Sequence, residues 1–444
     1  MYPRFLTLDI LICCLVSAHA GWTAVGSTQN WEGIATSSDG TKLAAVVGCS
    51  GCNPNDGSDG NVWTSIDSGA TWVERNPNNG SKPWNKITSS SDGTKLAAIE
   101  TSGNLWTSAD SGATWVARFS GSWTPWRGIT SSSDGTKLAA CVYNSNFFTS
   151  EDSGATWVET VRFGQWYGIA SSGDGTKLAS IFTGHKVWKS EDSGASWVEI
   201  TLTGSSIWQK MWSAVTYSSD GTTIAATVDS QNIWISTNSG ATWTEATQWT
   251  GSGMKWRGIT SSSDGTKLAA VAYGGNIWTS TDSGNTWTED NSVGSLQNWT
   301  GITSSSDGTK LAATTSGGNI WTFGYVYCQA SSDPSKDGSD GSFYCINGGI
   351  VGGIPGSCRC TSCNAGYQGS SCQTVIPGAP NPSPTPSPAN TTSPTPSANA
   401  TSSPPPPPTP PPPNLIQDDD DHASARQGFF LVLAMTSLST IFVL

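Results

Sequence analysis

Between Gly21 and Phe323, runs of Thr, Val, Ile, Leu, Ala and Trp three to six residues long alternate with clusters of Ser, Asp and Gly. Short β-branched and aromatic runs bounded by such clusters predict antiparallel strands and turns, not helices. The unit from Trp256 to Trp287 shows the grammar: Trp-Arg-Gly-Ile, an Asp-Gly turn, Leu-Ala-Ala-Val, Asn-Ile-Trp-Thr-Ser, then Asp-Ser-Gly-Asn-Thr-Trp. Glycine supplies the positive φ that an Asp-Gly hairpin needs. Each unit therefore predicts four short strands joined by tight turns. The Asp of the first turn recurs at 39, 92, 134, 174, 220, 264 and 307, in steps of 53, 42, 40, 46, 44 and 43 residues. A period of this size means a propeller or a solenoid.

Seven first strands are marked by Trp31, Trp84, Trp126, Trp166, Trp212, Trp256 and Trp299. The second turn motif, Ser-x-Asp-Ser-Gly-x-Thr-Trp with small variations, starts at Ser65, Ser108, Ser150, Ser190, Ser236 and Ser280, which is one copy short. Gly21-Trp22-Thr23-Ala24-Val25 matches the strand that follows the other Thr-Trp pairs. The N-terminal strand is thus expected to complete the seventh blade and leave no open edge. These motifs resemble the Asp-box (BNR) repeats of sialidases, sortilin-type receptors and photosystem II assembly factors. The resemblance covers Gly21 to about Phe323 and implies an all-β, seven-bladed propeller of four-stranded antiparallel blades. In that family the box lies on a hairpin remote from the active site, and its chemistry agrees. The Asp carboxylate accepts backbone N–H groups, Gly takes the positive φ and Trp packs between blades. The first-to-second and third-to-fourth turns should share one face, leaving the more variable loops on the other.

From 324 to 375 the character changes. Cys328, Cys345, Cys358, Cys360, Cys363 and Cys372, with Gly366-Tyr367-Gln368-Gly369, resemble an EGF-like module. Two residues separate Cys360 from Cys363 where that family has one, which leaves its first-third, second-fourth, fifth-sixth pairing open. Cys49 and Cys52 form a local Cys-x-x-Cys in an insertion of blade 1, read as a loop disulfide. Residues 376–427 are a Pro/Ser/Thr-rich stalk with an acidic run, Asp418–Asp421. Residues 1–20 read as a signal peptide. The apolar tail 428–444 has no basic stop signal, so it reads as a glycolipid-anchor signal, with Ser424 the candidate attachment residue. The expected address is the outer leaflet of the cell surface or the cell wall. Sequons at Asn79, Asn298, Asn390 and Asn399 fit that route.

The net charge of −12 argues against nucleic acid and against an anionic membrane surface as partners. His185 is the one histidine of the folded part, which excludes a multi-histidine metal site; neither a metal nor a cofactor is expected. A sialidase needs three convergent arginines, whereas Arg75, Arg118, Arg127, Arg162 and Arg257 lack that family's context. Arg127 and Arg257 occupy equivalent repeat positions, as blade decoration would. Setting aside the turn aspartates and the recurring Glu of Trp-x-Glu leaves Glu32, Glu100, Asp56, Asp59, Asp229 and Asp290, scattered over several blades. No catalytic residue is assigned. Trp123, Trp208 and Trp249 stand outside the repeat on the variable face, where they could stack on sugar rings, anchor a protein, or plug blade ends. The expectation is a surface-tethered recognition or adhesion protein binding a glycan or a protein. A glycan-active hydrolase on the same propeller and a structural spacer are the alternatives.

Overall fold

The computed structural model describes residues 21–48, 60–77, 82–119, 124–182, 186–200, 210–247, 253–325 and, sparsely, parts of 329–375. The chain divides into two units, Met1–Pro382 and Ser383–Leu444, and every described residue lies in the first. Residues 1–20, Cys49, Cys52, Asp56, Asp59, Asn79, His185, Cys328, Cys358, Asn390, Asn399, Ser424 and residues 428–444 lie outside the described residues.

The described residues form strands and turns without an α-helix. Seven antiparallel blades follow one another around an axis. Blade 2 shows the plan: Trp84–Ser89, Leu96–Glu100, Leu105–Ser108 and Val116–Ala117 pair in order. Blades 5 and 6 repeat it. Several strands are longer than the sequence pattern suggests, because neighbouring strands merge where the loop between them is tight. Leu138–Ser150 serves as second and third strand of blade 3, and Val158–Ser171 runs from the last strand of blade 3 into the first of blade 4.

Thr23–Thr36 does the same at the seam. Its first residues pair with blade 7, Thr23 with Thr322, Ala24 with Trp321 and Val25 with Ile320. Its last residues are the inner strand of blade 1, paired with Leu43–Val47. Trp22 packs on Trp299 and Phe323, and its indole N–H donates to Asp290 of blade 6 at 2.9 Å. Residues 22–25 therefore close the ring.

The core lies between blades. One cluster joins Val46 and Val62 of blade 1 to Trp84, Ile87, Leu96 and Trp106 of blade 2, with Trp115 packed against it. The first-strand tryptophans are its largest members, and none of the seven is more than 3% exposed. Polar bonds tie the same blades together at the turn face. The amides of Ser38, Ser91, Ser133, Gly173, Asp220, Ser263 and Ser306 each donate to a carbonyl of the next blade, at 2.6–3.3 Å, and Ser306 returns to Ser38. Outside that ring, Lys42, Lys95, Lys267 and Lys310 each donate to the turn-Asp carbonyl of the following blade.

Both turn motifs lie on this face and lock to each other. In each of the six turns the Ser at the position after the Asp (after Asn238 in blade 5, hence Ser239) donates its amide to the Thr carbonyl of the preceding Asp-Gly turn, as Ser111 does to Thr94 at 2.8 Å. Within that turn Ser108 Oγ donates to Asp110 Oδ1, and the amide and hydroxyl of Thr114 donate to the same carboxylate. Ser111 itself has φ 56°. The left-handed region is costly for a residue with Cβ. It is held there by these local bonds.

In the C-terminal part, disulfides join Cys345 to Cys360 and Cys363 to Cys372, which are the second-fourth and fifth-sixth pairs of the cluster. The wider Cys360–Cys363 spacing is thus compatible with both. This part is a small disulfide-rich module of two-stranded sheets. Cys141 is free and fully buried, and burial pushes its thiol up to about 12.

Candidate functional site

The axis opens at both ends. At the turn face the opening holds about 150 Å³ and is lined by hydroxyls, among them Ser38, Ser91, Ser133 and Ser306. No ionisable side chain lines it. The opposite opening holds about 220 Å³ and is built from the starts of the first strands.

One local feature constructs that second opening. In all seven blades the register of the first strand slips between Trp and the residue two positions on. Such a bulge re-aims the side chain of the extra residue. The residue concerned is the second of Trp-x-Gly-Ile: Glu32, Asn85, Arg127, Tyr167, Ser213, Arg257 and Thr300. Five of these residues, Arg127, Tyr167, Ser213, Arg257 and Thr300, line the one mouth, brought there by like turns of backbone. The next position is Gly in five blades, and Gly128 shows why. A Cβ there would lie 3.0 Å from the Ile169 amide and 3.1 Å from Gly168 Cα of the next blade. Blade 2 carries Lys86 at this place, and its side chain also lines the opening.

The mouth therefore holds three cations, Lys86, Arg127 and Arg257. Arg127 Nε is buried and has no hydrogen-bond partner, and its guanidinium lies 5.4 Å from the centre of the Tyr143 ring. Tyr143 in turn meets Tyr167 edge-on at 5.7 Å. Arg257 donates to Asp229 at 3.3 Å and lies 5.8 Å from the Tyr273 ring. Lys86 Nζ donates to the Glu32 carbonyl at 3.2 Å. Burial pushes the Lys86 ammonium below the usual lysine range, and Arg257 adds to that while Glu32 opposes it. Burial likewise raises the Glu32 carboxyl above the usual carboxylate range, against the pull of Lys86. Tyr167 lines the opening and is 40% exposed, so it offers a ring to a ligand, while Tyr273, 41% exposed, lies beside Arg257.

Trp123, Trp208 and Trp249 lie outside the described residues. Among the described residues, the candidate acids Glu32, Glu100, Asp229 and Asp290 are not brought together. Glu32 faces Lys86, and Glu100 accepts from the Trp106 indole at 2.7 Å. Asp229 pairs with Arg257, and Asp290 caps the Trp22 indole. Asn298 is exposed on the same side, in the strand that carries Thr300 into the mouth. Arg127 and Arg257, which looked like repeat decoration, are correctly read as mouth residues. The signal was available: a variable position inside the otherwise constant Trp-x-Gly-Ile frame.

No protein-family model matches the chain, and no curated protein matches it. Solved structures do resemble it. YCF48 bound to a D1 peptide superposes with a TM-score of 0.53 at 15% identity, covering 68% of this chain and 95% of that one. YCF48 from Cyanidioschyzon merolae gives 0.53 at 17% identity, covering 68% and 98%. U3-55K gives 0.54 at 11% identity, covering 69% and 98%. At these identities the likeness concerns the fold. It agrees with the propeller built above.

Proposed function

We propose that this is an extracellular recognition protein, held at the cell surface, whose propeller binds a carboxylate-bearing glycan or protein segment at the cationic mouth. One observation carries the reading. Three cations, Lys86, Arg127 and Arg257, line a single opening together with the part-exposed ring of Tyr167. A carboxylate that met the guanidinium and ammonium groups of these residues would gain charge-assisted hydrogen bonds, which are stronger than neutral ones. Tyrosine rings add apolar area for a sugar ring or a side chain. The leader and the apolar tail in the sequence support surface tethering through a lipid anchor. The acids of the mouth do not favour a hydrolase, since a two-carboxylate mechanism needs a facing pair.

The test is a binding screen of the full chain on arrays of acidic and neutral glycans and of peptides ending in free or amidated carboxyls. Acidic ligands should dominate the hits. An Arg127→Ala/Arg257→Ala variant should bind them roughly tenfold or more weakly, as expected from losing charged hydrogen bonds of about 1.5–3 kcal/mol each. Hits that are neutral and indifferent to the variant would refute the reading.

A further inference from the structure

Six Asp-Ser-Gly turns are built alike, yet one carboxylate is unlike the rest. Asp67 of blade 1 is buried, whereas Asp110, Asp152, Asp192 and Asn238 at the same place are exposed and Asp282 is partly so. The difference is Arg359 of the disulfide-rich module. Its Nη2 donates to Asp67 Oδ2 at 2.9 Å and to Thr71 Oγ1 at 3.3 Å. Arg359 is held for this role. It starts the strand Arg359–Cys363, pairs with Gly352, and precedes Cys360, which is bonded to Cys345.

The route of the chain gives the contact its meaning. After Phe323 ends blade 7, Gly324 packs so tightly on the Thr309 carbonyl that no side chain fits. Tyr325 then lies beneath Lys310, 5.4 Å from ring centre to Nζ, with its hydroxyl beside Gly40 of blade 1. Lys310 is the lysine that reaches from blade 7 to the Asp39 carbonyl of blade 1. The chain thus crosses the seam between last and first blade on the turn face, and Arg359 grips blade 1 beyond it.

We propose that the disulfide-rich module is a clasp on the propeller. Arg359, seated in the Asp-Ser-Gly turn of blade 1, ties the chain leaving blade 7 to blade 1 and reinforces the seam, on the face opposite the cationic mouth. Closure is then reciprocal. The N-terminus gives a strand to blade 7, and the C-terminal module gives an arginine to blade 1.

Blade 5 supplies the design of the test. Asn238 accepts from Ser236 and from the Thr242 amide as the aspartates do, so Asn keeps the turn while removing its charge. In the full chain, Asp67→Asn should speed tryptic cleavage after Arg359 by roughly fivefold, the scale of one ion pair near a surface. It should also speed amide exchange at Ile320–Thr322, the seam strand. Asp110→Asn, the same change in a turn that meets no arginine, should do neither. Arg359→Gln should reproduce the exchange effect, and the double variant with Asp67→Asn should add nothing. Equal behaviour of Asp67→Asn and Asp110→Asn, additive exchange effects, or faster cleavage with unchanged seam exchange would each overturn the clasp.

Discussion

Individual residues in this chain do two separable jobs. The turn aspartates are structural. Asp92, Asp134, Asp174, Asp264 and Asp307 are held at about 2, first by the Ser hydroxyl two residues before and then by the Thr amide and hydroxyl two residues after. A carboxyl depressed by folding contributes stability above its unfolded value, near 3.9, and loses it as pH falls through the folded value. The melting temperature should therefore be flat above about pH 4 and fall steeply toward pH 2. A flat profile down to pH 2 would show that these bonds carry no stability. The mouth residues are the second kind, and Glu32 is the informative one. It is the carboxylate facing Lys86, one of the mouth cations, so Glu32→Gln should tighten binding of an acidic ligand at neutral pH. Titrating the wild type downward should tighten it too, as the raised carboxyl is neutralised before the ligand's own. Weaker binding by Glu32→Gln would mean that the carboxylate contacts the ligand.

At the scale of the element, the blade is a sequence unit in which each motif answers one packing need. Trp-x-Gly-Ile buries Trp, bulges at x and brings Gly against the next blade. Trp126 is fully buried, and Trp126→Ala should cost about 3–5 kcal/mol through the cavity it leaves. Chemical denaturation checks this, and a loss under about 1 kcal/mol would mean that the first-strand tryptophans are not the core. The strands, the two turn types and the shared turn face were legible because period and glycine placement specify them locally. The merged strands were not, since merging depends on how tightly a loop folds. Arg127 and Arg257 were legible as equivalent positions but not as neighbours. Their convergence needs the bulge and the ring, which are properties of several blades together. The grip of Arg359 on Asp67 was likewise invisible, since it joins residues 292 positions apart by one ion pair.

The whole molecule is a ring, and a ring depends on its seam. Deleting residues 21–26 removes the strand that pairs with Ile320–Thr322 and the indole that caps Asp290. The truncated chain should aggregate or melt well below the parent, because blade 7 then exposes an unpaired edge. Equal melting temperatures by calorimetry would contradict closure by the N-terminus. A closed ring also explains how a chain of net charge −12 can present a basic site. Many of the acids are turn aspartates at one face or belong to the Asp418–Asp421 run, while Lys86, Arg127 and Arg257 line the other end of the axis. The most direct measurement is a structure of the full chain with the strongest acidic ligand from the screen. The expected result is a ligand carboxylate in the mouth, within hydrogen-bonding distance of the Arg127 guanidinium and close to Lys86 or Arg257. A ligand seated on the serine-lined opening or on the blade rims, with the mouth unchanged, would contradict the account.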